Sequence, residues 1–289
     1  MQLDEARIRK PLQKLRKTVR KFPRKSRPEE IHKLRTTTRR IEAMLAAVVN
    51  QADGTRGLSK SLRSLRRRAG KVRDMDVFIG LASTLKAASD DECEVRLLEG
   101  LSVKRFGQAK KLHSSAQQES RKLRRGLKKC LQDIEGQFRK SADRTDGALE
   151  ASVMSRALQL SKDLRSTARL GRNNLHDYRL KVKELRYVLQ MAKDGDKPFV
   201  EALGEVKDAI GEWHDWLELT AIATELLDGD YGCELLRQLK ETTEQKFDHA
   251  LSVTNEMRNK YLNLSRNSSA KRSPKGAIES IVAAAAVAA

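Results

Sequence analysis

The sequence predicts an all-α fold. The chain is rich in Leu, Ala, Lys, Arg, Glu and Gln, holds only 5 prolines among 289 residues, and has an aromatic content of 4%. Apolar residues recur at three- and four-residue spacing along nearly its whole length. Those residue types lose little rotamer freedom in a helix, and that spacing puts them on one helical face. A hydrophobic fraction of 39% is enough to fill the core of one large domain or two of ordinary size.

The first predicted helix runs from about Pro11 to Phe22, with Leu12, Leu15, Val19 and Phe22 on one face and the stripe Lys10, Lys14, Lys17 and Lys21 on the other. A break at Phe22-Pro23 precedes Ser26-Arg27-Pro28-Glu29, a capping-box pattern opening a second helix through about Val49. Asn50 to Gly57 reads as a turn. A third helix, Leu58 to about Ala88, carries Arg63, Arg66, Arg67 and Arg68 and then Arg73-Asp74-Met75-Asp76-Val77. An acidic loop at Asp90 to Glu94 leads to a long basic helix over roughly 95–140, and Ser141 to Gly147 reads as a linker.

The second half follows the same plan. A helix begins near Ala151, Gly171-Arg172-Asn173-Asn174 caps the next from Leu175 to Met191, a Gly/Asp/Pro loop at 194–198 precedes a helix through Leu227, and a last helix spans Tyr231 to Leu264. The predicted units are therefore 1–145, 146–264 and a low-complexity basic and Ala-rich tail at 265–289.

Charge divides at the same place. The formal net charge is +20, but residues 1–145 hold 38 Lys+Arg against 17 Asp+Glu and residues 146–289 hold 21 against 22. A self-repelling basic half gains from an anionic partner. Cys93, Cys130 and Cys233 are odd in number and widely spaced, which predicts buried or inert thiols and no CxxC metal site. No apolar run has the length of a membrane span, and the cytoplasm is the expected location.

The most informative pattern is internal. His32-x-x-Arg35-x-x-x-Arg39 returns 144 residues later as His176-x-x-Arg179-x-x-x-Lys183. At 100° per residue each trio spans about 60° of its helix, opposite the apolar stripe. Arg supplies a planar fork of donors to phosphate oxygens, Lys a compact charge and His a further N–H, a set suited to binding a polyanion rather than to moving protons. A second pair follows: Gly70-Lys-Val-Arg73-Asp74 corresponds to Gly211-Glu-Trp-His214-Asp215. Asp74 and Asp215 are expected to orient neighbouring cations.

The two HxxRxxx(R/K) helices, the first extended as Arg39-Arg40 and the second as Lys183-Glu-Leu-Arg186-Tyr187, together with Arg73-Asp74-x-Asp76-Val77 and Gly211-x-x-x-Asp215, resemble the CHAD domain, over about residues 5–262. The resemblance implies two tandem four-helix bundle-like repeats with a pseudo-two-fold relation, a basic cavity or groove between them, and binding of inorganic polyphosphate with association with polyphosphate granules. It carries His32, Arg35, Arg39, Arg40, His176, Arg179, Lys183 and Arg186 into the binding site. Lys14, Arg66, Arg73 and Lys207 complete the predicted set. The sequence departs from the family pattern at Ile41-Glu42, where a carboxylate stands in place of a usual Arg.

No catalytic residue, metal or cofactor is expected, and the β-rich triphosphate-cleaving domain to which this family is sometimes fused has no counterpart in the sequence. Two rivals remain. His176, His214-Asp215 and a later Asp228 or Asp248 imitate a metal-dependent phosphohydrolase, although Arg73 replaces His214 in the first copy and cannot bind a metal. Non-specific nucleic-acid binding would exploit the same charge, against which stand few aromatics and no groove-reading motif. The charge imbalance further predicts that the first half gathers the anion and the second clamps it.

Overall fold

A computed structural model describes residues 3–48, 53–85, 91–143, 148–192, 196–227 and 233–262. The elements are α1 (Glu5–Arg20), α2 (Pro28–Val48), α3 (Asp53–Ala82), α4 (Asp91–Asp143), α5 (Ala148–Ser166), α6 (Leu175–Leu189), α7 (Lys197–Leu226) and α8 (Glu234–Met257). A π-helical turn, Arg258–Leu262, extends α8. Among the described residues the sole β feature is an isolated bridge between Leu3 and Ala192.

Several boundaries differ from expectation for local reasons. Helix α1 begins at Glu5, because the Asp4 carboxylate accepts from the Ala6 and Arg7 amides and Pro11 lies inside the helix as a buried residue. The predicted capping box does not form. Pro28 takes the first helical position, so Arg27 precedes the helix and its N–H donates to Glu30 Oε2 at 2.9 Å, while the Ser26 hydroxyl turns back to the Pro23 carbonyl.

Asp91 to Glu94, expected as part of a loop, belongs to the first turn of α4. Helix α3 starts earlier and stops sooner than expected, at Asp53 and Ala82, and α4 extends through Ser141 to Asp143 of the predicted linker. The rest of that linker, the core of the Asn50 turn and the tail lie outside the described residues. Asn174 does not cap α6 with its side chain; Oδ1 accepts from the Gly171 amide and Nδ2 donates to the Arg169 carbonyl, closing the preceding turn. Asp196 caps α7, accepting from the Phe199 amide, with Pro198 in the first turn.

Helices α1 to α4 pack on one another in the order α1–α2–α3–α4 with α4 returning to α1, and α5 to α8 pack in sequence with the π turn returning to α5. Between the halves α2 meets α5 and α6, and α3 and α4 meet α7. The N-terminus straps across: the Asp4 amide donates to the Met191 carbonyl and Arg7 to the Ala192 carbonyl.

The main apolar core runs through both halves, from Ile8, Leu12 and Leu15 to Tyr178, Phe199 and Trp213. A second cluster joins the end of α3 and start of α4 to α7 and α8 through Phe78, Leu97, Leu101, Trp216, Leu219 and Leu235. Since both clusters bury side chains from each half, separating the halves would expose core. All three cysteines are buried and free, as their scattered positions predicted.

Candidate anion-binding site

The polar faces of α2 and α6 turn toward the junction of the halves. On α2, Ile31, Leu34 and Ile41 fill the core of the first half while Arg35, Arg39 and Arg40 are left half-buried and His32 exposed. On α6, Leu175, Tyr178, Val182 and Leu185 are buried, and His176, Arg179 and Arg186 are half-buried. Lys183 is only 8% exposed and counts among the buried side chains, whereas its counterpart Arg39 is half-buried.

The motif pairs meet in space, and they do so twice. The Arg35 guanidinium packs beside Gly70, whose hypothetical Cβ would stand 3.5 Å from Arg35 Nε, and reaches Asp74 at 3.4 Å. The Arg179 guanidinium lies over Gly211 and its Nε donates to the Lys207 carbonyl at 3.0 Å, with Asp215 the strongest charge acting on it. The residue preceding each aspartate faces the histidine of its own half: Arg73 opposes protonation of His32, and the His214 ring stands 4.3 Å from that of His176. Arg186 repeats the packing on Gly204 and donates from Nε to the Val200 carbonyl at 3.3 Å.

Glycine is needed at Gly211 because a Cβ there would come within 2.9 Å of Arg179 Cζ and 3.1 Å of its Nε. Gly70 leaves ordinary contact distance. Replacing glycine by alanine in a helix gains about 1 kcal/mol of intrinsic propensity, whereas loss of a charge-assisted hydrogen bond costs about 1.5–3 kcal/mol. Gly70→Ala is therefore expected to raise the melting temperature and Gly211→Ala to lower it. Equal shifts in thermal and urea melts would show that Arg179 is not held over Gly211.

Charges from both halves converge here. Arg39 is depressed to about 10 by burial and by the positive fields of Arg35, Arg66 and Arg179. Arg40 is depressed by burial, with Tyr187 opposing and Arg7 and Arg186 adding to the effect. Burial lowers His32, His176 and His214, the last to about 4, and the surrounding cations push in the same direction. Asp74 is raised by burial despite Arg35, Arg39 and Arg179, and Asp215 is raised to about 6 by burial, with Arg179 pulling the other way. Asp74 and Asp215 are outnumbered by the arginines that act on them.

The Nε atoms of Arg35, Arg39 and Arg40 and the Nδ1 of His176 are buried without a hydrogen-bond partner. A buried guanidinium N–H left without a partner costs about 1–3 kcal/mol, and Arg9 and Arg258, outside this region, carry the same unpaired Nε.

The predicted set is not brought together whole. Arg66 pairs with Glu42 at 2.5 Å, so the carboxylate that departs from the family pattern occupies an expected phosphate contact. Lys207 pairs with its neighbour Asp208, yet still acts on His32. Lys14 lies on the exposed face of α1 and is not among the charges acting on the cleft residues. Asp76, part of the family-like motif, is structural, accepting from Arg105 Nε at 2.6 Å between α3 and α4. His214, Arg7 and Tyr187 were not in the predicted binding set. The Gly211-to-Asp215 correspondence contained the signal for His214; that for Arg7 is visible only once the N-terminus crosses to α6.

A sequence profile of the CHAD domain matches residues 6–224, most of the chain and both motif pairs. The chain belongs to the CHAD-domain family. The crystal structure of the CHAD domain from the plant Ricinus communis shares its fold at 15% sequence identity and a TM-score of 0.52, covering 87% of this chain and 86% of that one. No curated protein matches the sequence. Within this fold the polar faces of the two motif helices meet across the halves, with α3 and α7 contributing beside them. The rival metal site gains no support: His176 and His214 approach each other, but among the described residues no group of three or more His, Cys, Asp or Glu could hold a metal, and Asp228 lies outside them. No described helix is long and apolar enough to cross a membrane.

Proposed function

We propose that this CHAD domain binds inorganic polyphosphate in the cleft between α2 and α6, as a non-enzymatic ligand-holding protein, and that the same contact places it on polyphosphate granules. The observation that carries the reading is the convergence of Arg35, Arg39 and Arg179, with Arg73 and the two histidines of the second half, on one region where Asp74 and Asp215 are the central opposing charges and Asp208 and Glu42 add to them. A chain of phosphates offers repeating acceptors and negative charge at every unit, which suits forked donors spread along two helices. It needs no base stacking, and the rings at the site are three histidines and Tyr187 rather than an exposed aromatic platform.

A competition titration tests this. Long-chain polyphosphate should displace DNA and ATP from the protein at both low and physiological salt, with no requirement for magnesium and no release of orthophosphate in magnesium or in chelator. Preference for DNA at physiological salt would support the nucleic-acid reading. Metal-dependent orthophosphate release would support a phosphohydrolase.

A further inference from the structure

A second basic surface lies outside the cleft. Helices α1 and α4 form a groove of about 450 Å³ lined by Gln13, Arg16, Lys17, Arg20 and Arg124. The first four recur at helix spacing along one stripe of α1, and Arg124 faces them from α4. The helices are fixed beside the groove: the Ser120 hydroxyl donates to the Val19 carbonyl at 3.1 Å and Arg9 pairs with Glu135 at 2.6 Å.

The ion pairs of α1 are confined to its first turns, at Arg7 and Arg9. Among the described residues no carboxylate comes within ion-pair distance of Arg16, Lys17, Arg20 or Arg124. A solvated helix face ordinarily intersperses acids with bases, because like charges three or four residues apart repel. This one does not. The groove between α7 and α8 shows the contrast, being lined by Glu201, Glu205 and Glu256 against Lys260.

We propose that the α1/α4 groove is a second phosphate-polyanion site, which grips a separate stretch of inorganic polyphosphate. This rests on the proposed function for its ligand class, but not on the cleft residues. Three arginines and a lysine with no aromatic lining the groove match phosphate oxygens and offer nothing for bases to stack on. Two sites on one long ligand act in concert, so the groove adds to affinity for long chains more than for short ones.

The test uses the full chain, with Arg16→Glu, Arg20→Glu and Arg124→Glu combined as a groove variant, a milder version carrying Gln at the same three positions, and Arg39→Glu as a cleft variant. Tripolyphosphate, too short to join the sites, should show two classes of site on the native protein by calorimetry. The groove variants should each lose one class and keep the other, and their affinity for long-chain polyphosphate should fall at least tenfold. The proposal is overturned if both groove variants, folded by circular dichroism, bind tripolyphosphate and long polyphosphate like the native protein, or if they lose only duplex DNA binding. If Arg39→Glu leaves both tripolyphosphate classes intact while the groove variants lose one, the cleft reading fails and the groove stands.

Discussion

Arg39→Glu is expected to lower affinity for long-chain polyphosphate by roughly a hundredfold while raising the melting temperature of the free protein. In the complex the substitution removes a charge-assisted contact, about 1.5–3 kcal/mol, and sets a carboxylate against phosphate; at 1.4 kcal/mol per decade this amounts to about two orders of magnitude. In the free protein the same change relieves strain. Arg39 sits in the fields of Arg35, Arg66 and Arg179 and its Nε is buried without a partner, so a carboxylate would gain three cations, more than the attraction to Asp74 and Glu42 that the arginine gives up. Binding sites held at the expense of stability behave this way, and a structural arginine would lose stability instead. Titration calorimetry and thermal melts on one preparation decide between them. Reversals at Arg35 and Arg39 should also cost more affinity than reversals at Arg179 and Lys183, since Lys183 is nearly buried and Arg179 is already engaged by the Lys207 carbonyl. Equal losses would mean that the two halves hold the anion symmetrically.

The parts of this site that were legible in the sequence are those written in helix spacing. His32, Arg35 and Arg39 share an angular sector, as do His176 and Arg179, and repetition after 144 residues marks the sector as more than a solvated face. Lys183 shows the limit of that reading: the sector places it with its neighbours but cannot show that a facing helix covers it. Spacing also brought out Gly70 and Gly211 as counterparts. Their purpose, flat surfaces on which an arginine of another helix can lie, depends on which helices are neighbours, and no local pattern states that. The Arg66–Glu42 pair is similar, because a carboxylate that looked like a missing contact proves to consume one. At α1, Pro11 signals a helix start because proline favours first turns, but Asp4 supplies a real cap seven residues earlier and packing absorbs the proline.

Binding of polyphosphate is expected to take up protons, so that affinity rises as the pH falls from about 8 toward 6, by up to about tenfold per pH unit for each proton taken up. In the free protein burial and the surrounding cations hold His32, His176 and His214 below the ordinary imidazole value, His214 near 4. Phosphate oxygens placed among them reverse the sign of the local field and favour imidazolium, and the same field pushes Asp74 and Asp215 further up. The field of the phosphates therefore shifts all five groups toward their protonated forms.

For the free protein the signs oppose. A histidine depressed by folding withdraws stability as the pH falls from about 6.5 toward the folded value near 4, because the unfolded chain binds the proton more readily. Asp215, raised to about 6, returns stability as the pH falls through 6 toward the unfolded carboxylate range. The two effects therefore offset in part between about pH 6 and 4, below the interval in which affinity is expected to rise most. Calorimetry at pH 6.5 in two buffers of different ionisation enthalpy counts the protons directly, and a chain long enough to make its terminal phosphates negligible keeps the ligand's own titration out of the count. His176→Gln with His214→Gln should reduce the uptake and flatten the pH profile while leaving binding at pH 8 close to native. Zero uptake, or proton release, would place the phosphates away from these rings.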